Sequence, residues 1–220
     1  MKKAKKYKHI LFDLDGTLTE SAEGITRSVA YALEKFGIKE TDYEKLKLFV
    51  GPPLVDAFMK FYGFSEADAK KATEYYRERF RVKGIFENAL YDGITEVLDT
   101  LKKAGFNLII ATSKPEEFAK RIVAHFDIEK YFSFIAGATF DGTRGNKSDI
   151  IKYALDIAGI TDKSSAIMIG DRHHDINGAN AVGIDSIGVL YGYGNKNELV
   201  SAGATYIAKN VRDIEKIILD

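Results

Sequence analysis

The chain has 220 residues, enough for one core domain with a sizeable insertion but short for two full domains. Its 32 acidic and 32 basic residues balance, so neither a nucleic acid polymer nor an anionic membrane is expected as the main partner. Cysteine is absent, which excludes disulfides, thiol catalysis and cysteine-ligated zinc and suits a cytoplasmic protein; no apolar run approaches the roughly 20 residues of a membrane helix.

Residues 1–8, MKKAKKYK, are read as a solvated basic tail. The apolar run after them is broken at once by Asp13 and Asp15, too early for the hydrophobic region of a secretion signal. Residues 9–14 are expected to form a short buried strand that ends in an acidic turn, DLDGT at 13–17. Ile25, Val29, Leu33 and Phe36 then recur at helical spacing before Gly37, which is placed as a C-terminal cap. A short helix is expected over 43–49, another after the GPP turn at 51–53 through Leu54, Phe58 and Phe61, and a third to about residue 82, opened by the capping-box pattern SEAD at 65–68.

After this block helices and strands alternate. Helices are expected around Ile94–Leu101 and over 116–126, 148–158, 176–182 and 214–219. Strands are expected over 106–111, 132–136, 166–169, 186–189 and, weakly, 206–208. Strands that read apolar throughout, separated by helices of about three turns, indicate a parallel sheet covered on both faces. The expected fold class is therefore α/β: a Rossmann-like parallel-sheet core, residues 1–19 and 89–220, with an all-helical domain, residues 20–88, inserted after the first strand.

In such sheets a ligand site lies beyond the carboxyl ends of the strands. Asp13 and Asp15 close the first strand; Thr112, Ser113 and Lys114 close the second; Asp171 and Asp175 follow Gly170; Lys147 stands at the end of a loop before a helix. Singly these residues read as turns, helix caps and a surface lysine. Together they bring carboxylates, hydroxyls and a lysine to one edge of one sheet. Four carboxylates packed together repel one another unless a cation sits among them, and oxygen-only ligands select a hard ion, of which Mg2+ best suits a phosphate site. Lys147 and the Thr112 hydroxyl would then hold phosphoryl oxygens, as would backbone N–H groups of Gly16 and Thr17.

DLDGT at 13–17, Thr112, Lys147 and GDRHHD at 170–175 resemble, in this order and spacing, the four motifs of the haloacid dehalogenase-like hydrolases. The helical block is similar to the cap domain of that family's phosphoglycolate phosphatase-like branch. The resemblance implies a phosphatase in which Asp13 is the nucleophile and becomes an aspartyl-phosphate, while Asp15 acts as general acid and base. It also implies Mg2+ held by Asp13, the backbone carbonyl of Asp15, Asp171 and Asp175, with Lys147 and Thr112 stabilising the transferring group. GPPL at 51–54, DGTR at 141–144 and YGYG at 191–194 look like the 5′-nucleotidase-like members, ahead of phosphoglycolate phosphatase and of a phosphomutase of the β-phosphoglucomutase kind. A receiver-like phospho-aspartate signalling domain is the reading from another class. Ser113, Arg144 and Arg27 are the further expected phosphate or substrate contacts. The implied partner is a small phosphate monoester, and the implied assembly a monomer or homodimer.

Overall fold

The computed structural model describes residues 6–220. By backbone contacts the chain divides into two compact units: one runs up to Thr19 and resumes over Leu90–Asp220, and the other is Glu20–Ala89.

The first unit is built on six strands: β1 (His9–Phe12), β4 (Asn107–Pro115), β5 (Phe132–Ala138), β6 (Ala166–Gly170), β7 (Asp185–Val189) and β8 (Tyr206–Ala208). They form one sheet in the order β5-β4-β1-β6-β7-β8, and every pairing is parallel. Two short strands, β2 (Thr19–Glu20) and β3 (Ala89–Leu90), pair separately. The connecting helices are α5 (Ile94–Lys103), α6 (Glu116–His125), α7 (Lys147–Ile157), α8 (His173–Val182), α9 (Lys196–Ser201) and α10 (Val211–Leu219).

Right-handed crossovers decide the layering. The chain moves one way along the sheet through α5 and α6 and the opposite way through α7 and α8, so the two pairs lie on opposite faces. Alternation along the strands follows suit. Leu11, Ile109 and Met168, in register across three strands, pack with Ile150, Ile151, Ala154 and Leu155 of α7 and with Ala179 and Val182 of α8. Ile10, Phe12, Leu108, Ile110, Ile167 and Ile169 alternate with them and are also fully buried. Because β1 is flanked by β4 and β6, whose connections leave in opposite directions, its carboxyl end opens at a topological switch point.

The second unit contains α1 (Ala22–Glu34), α2 (Tyr43–Lys47), α3 (Leu54–Tyr62) and α4 (Glu66–Val82). Asp42 caps α2 by accepting from the N–H groups of Glu44 and Lys45, and Ser65 caps α4 by accepting from Asp68. Its aromatic residues pack: Phe49 meets Phe58 edge-on with ring centroids 4.8 Å apart, and Tyr76 stacks on Phe80 at 5.2 Å.

Three expectations need correction. Residues 1–5 of the expected basic tail lie outside the described residues, but Lys6 and Tyr7 are not loose. The Tyr7 ring is buried and its hydroxyl donates to Asp185 Oδ2 at 2.6 Å, which Lys6 Nζ also reaches at 2.7 Å. The second strand does not stop at Ala111; it continues to Pro115 through a register shift against β5 between Thr112 and Pro115. And α9 was not expected at all, because a six-residue helix with one buried residue, Leu199, has too little periodicity to read.

Candidate active site

Asp13 continues β1 by one residue, its N–H donating to Ile169 O of β6 at 2.9 Å. The chain then folds into a tight loop: Leu18 and Thr19 both donate to Leu14 O at 2.9 Å, and Gly16 N–H donates to Thr19 O at 2.7 Å. Gly16 has φ +82°, a conformation that side chains disfavour, and a Cβ there would overlap Asp171 Oδ2. The loop is therefore pressed against the end of β6, where Asp171 emerges.

The segment after β7 closes the other side. Tyr191 OH donates to Thr17 O at 2.9 Å, and Tyr193 N–H donates to Asp171 Oδ2 at 2.8 Å. A Cβ at Gly192 would overlap Gly16 O and the Asp171 side chain, so glycine permits this approach. YGYG at 191–194 thus acts as a brace for the acidic loop. No dinucleotide-type spacing marks these glycines, so their role is not legible from the chain alone.

Asp13, Asp171 and Asp175 are buried, and one carboxylate oxygen from each lies within 4.8 Å of the others. Lys147, the first residue of α7 and itself buried, lies between two of them: Nζ is 2.9 Å from Asp13 Oδ1 and 2.7 Å from Asp175 Oδ1. Nζ also donates to Ala111 O of β4 at 3.0 Å, which ties the lysine to the neighbouring strand. Asp175 Oδ2 accepts the N–H of Arg172 at 3.0 Å, which turns the chain into α8.

Electrostatics follow from burial and crowding. Burial pushes the Asp13 carboxyl up to about 6, with Lys147 opposing and Asp175 and Asp15 adding to the rise. Burial, then Asp175 and Asp13, hold Asp171 well above the usual carboxylate range. Burial disfavours the charged form of Lys147, but the Asp13 and Asp175 carboxylates outweigh it and keep its ammonium above the ordinary lysine range.

Asp15 belongs to a second pair. Its Oδ2 accepts from Lys114 Nζ at 2.6 Å, while Oδ1 is buried without a hydrogen-bond partner. Expected to reach an ion through its backbone carbonyl, Asp15 does not add its side chain to the group of three. Thr112 is buried, and its Oγ1 accepts from Lys114 N–H at 3.2 Å; Ser113 beside it is half-buried. The Thr17 hydroxyl is buried and unpaired.

Arg144 and Arg27 each have partners within their own unit. Arg144 donates to Gly137 O at 2.7 Å and Glu116 Oε2 at 2.9 Å, and its guanidinium covers the Tyr153 ring at 3.6 Å. Arg27, in the helical unit, pairs with Glu23 and Glu87 and lines a cleft of about 470 Å3 with Thr26, Tyr43 and Leu46. His173 donates its backbone N–H to Glu198 Oε1 of α9 at 3.0 Å, and its ring Nδ1 lies 2.7 Å from the same oxygen. Sequence reading missed Lys114 as a partner of Asp15 and Glu198 altogether; the lysine's position at a strand end was its one visible signal.

The residues fit a divalent cation. Asp13, Asp15, Asp171 and Asp175 carry four potential negative charges against the two ammonium groups of Lys114 and Lys147, an excess of two. Asp171 Oδ1 is moreover a buried oxygen without a partner. An oxygen-only donor set of this charge suits Mg2+.

Residues 10–189 match the family model for haloacid dehalogenase-like hydrolases. The chain is 46% identical over 215 residues to a 5′-nucleotidase of Pseudomonas aeruginosa, covering 98% of this chain and 97% of that protein. It is 38% identical over 209 residues to the tyrosine-protein kinase PtkA of Mycobacterium tuberculosis, covering 94% and 70%. A crystal structure of a predicted phosphatase from Clostridium acetobutylicum superposes with a TM-score of 0.94 at 50% identity, covering 97% and 98%.

Proposed function

The chain belongs to the haloacid dehalogenase-like hydrolases, and from that premise we propose that it is a Mg2+-dependent phosphatase hydrolysing nucleoside 5′-monophosphates through an aspartyl-phosphate on Asp13. The observation that carries this reading is the setting of Asp13. It is buried between the Lys147 ammonium and the Asp171–Asp175 pair, with Asp15 two residues on and one of its oxygens unpartnered.

Asp13 attacks phosphorus as its bond to the leaving oxygen breaks, and Asp15 gives that oxygen a proton. Water then attacks the phosphorus, Asp15 takes the water proton, and the bond to Asp13 breaks, releasing phosphate. Lys147 and the Thr112 hydroxyl neutralise charge on the phosphoryl oxygens, and N–H groups of the 13–17 loop add donors. Asp13, Asp171, Asp175 and the Asp15 carbonyl would hold Mg2+, which would supply positive charge to offset the repulsion of anionic nucleophile and phosphate. The helical unit Glu20–Ala89 serves as the cap that selects the leaving group.

The choice of nucleotide is supported by the 46% identity to a 5′-nucleotidase along nearly the full length of both chains. A screen of nucleoside monophosphates, phosphoglycolate, sugar phosphates and phosphotyrosine tests it. The expected result is release of inorganic phosphate, fastest from a nucleoside 5′-monophosphate, abolished by EDTA and restored by Mg2+. Sugar-phosphate isomerisation, phosphoryl transfer to a protein tyrosine, or a stable phosphoprotein without turnover would each overturn it.

A further inference from the structure

The two carboxylate oxygens of Asp15, the general acid and base of the proposed reaction, stand in unlike settings. Lys114 Nζ donates to Oδ2 at 2.6 Å, a short charge-assisted contact between two side chains that are 5% and 13% exposed. The other oxygen, Oδ1, is buried and has no hydrogen-bond partner. One oxygen is thus occupied and the other is unpartnered.

The backbone is built to deliver this lysine. The register of β4 against β5 shifts between Thr112 and Pro115, and an irregularity of this kind re-aims a side chain. The residue before a proline is confined to extended conformations, and Pro115 follows Lys114 directly. On β5, Gly137 faces Thr112; a Cβ there would stand 2.8 Å from Lys114 O and 2.5 Å from Glu116 Cα. The neighbouring strand therefore leaves room for the shifted segment. Thr112 Oγ1, accepting from Lys114 N–H, ties the same turn from within.

We propose that Lys114 is a positioning residue for Asp15, clamping Oδ2 so that Oδ1 is the oxygen that exchanges the proton with the leaving group and then with water. This rests on the phosphatase reading above and adds a residue to it. In the first step the proton leaves Oδ1 for the departing oxygen as the Asp13–phosphorus bond forms. In the second, Oδ1 takes a water proton as that bond breaks. Lys114 stays on Oδ2 throughout and transfers nothing.

The role can be read from leaving-group dependence. An alkyl or nucleoside oxygen needs a proton as it departs, whereas p-nitrophenolate departs with little help. In Lys114→Met, kcat/KM for a nucleoside 5′-monophosphate is expected to fall on the order of 100-fold, the usual scale of general acid catalysis. For p-nitrophenyl phosphate it should fall less than about 10-fold. Lys114→Arg, which keeps charge and donors, should recover part of the selective loss. It also provides the same comparison if Lys114→Met does not fold. In an Asp15→Asn background Lys114→Met should add no further leaving-group-dependent loss. Equal losses for both esters in a folded variant, or none for either, would overturn the assignment while leaving the phosphatase reading intact. A wild-type protein that releases phosphate from neither ester would overturn both.

Discussion

Consider Asp171→Asn in protein stripped of divalent cations. The carboxylates of Asp13, Asp171 and Asp175 approach within 4.8 Å. Two unit charges at that distance repel by roughly 3 to 4 kcal/mol at an effective dielectric constant of about 20. Burial first, and then Asp175 and Asp13, raise the Asp171 carboxyl well above its ordinary value of 3.8, so that taking up a proton there relieves part of this repulsion. Asparagine removes the charge outright, keeps an oxygen for the Tyr193 N–H and offers its own N–H groups to the remaining carboxylates. The net gain should be about 1 to 2 kcal/mol near neutral pH, or roughly 2 to 8 °C in Tm for a chain of this length.

The sign of the pH dependence follows from linkage. Because the folded state holds the Asp171 proton more tightly than the unfolded chain, wild-type stability falls as pH rises from the unfolded value towards the raised folded one. The advantage of asparagine should therefore be larger at about pH 8 than at about pH 5. Differential scanning calorimetry in EDTA at both values measures it, with a Mg2+ titration alongside. Mg2+ should raise the Tm of the wild type and leave the variant almost unmoved. A chelated variant equal to or less stable than the wild type at both pH values would refute the claim that carboxylate crowding strains this site.

Three other outcomes are expected. Asp13→Asn should keep the circular dichroism spectrum and lose essentially all phosphate release; retained hydrolysis would remove Asp13 as nucleophile. Lys147→Met leaves Asp13 and Asp175 without their shared cation and should cost on the order of 3 to 5 kcal/mol in urea denaturation without Mg2+, together with loss of turnover. Gly16→Ala places a Cβ against Asp171 Oδ2 at a positive φ; it should cost about 1 to 3 kcal/mol and reduce kcat strongly, and an unaltered kcat would mean the loop has slack that the structure does not show.

Much of the site was legible because its residues lie at the ends of locally coded elements. The apolar run before Asp13, the strand Ala166–Gly170 before Asp171 and the turn before α7 each announce themselves within a few neighbours. The GDRHHD pattern placed Asp175, though only the structure shows that the helix begins as early as His173. What failed was either short or non-local. The six residues of α9 carry too little pattern, so Glu198, which accepts from Arg172 and His173, went unseen. Tyr7 and Lys6 looked like tail because their partner, Asp185, lies across the chain.

By itself the sequence determined the chemistry on offer: a carboxylate at a strand end with a second carboxylate two residues on, a lysine before a helix, and an acidic pair after a fully buried strand. It did so because strand, turn and helix signals act over short stretches of chain. Tertiary structure alone decided how those groups are shared. Lys147 stands between Asp13 and Asp175, while Lys114 takes one oxygen of Asp15 and leaves the other free. Lys114 and Asp15 are 99 residues apart, and the register of β4 beside β1, together with the shift beyond Thr112, brings them to 2.6 Å. That pairing depends on how strands distant in sequence stack in one sheet, which no local pattern encodes.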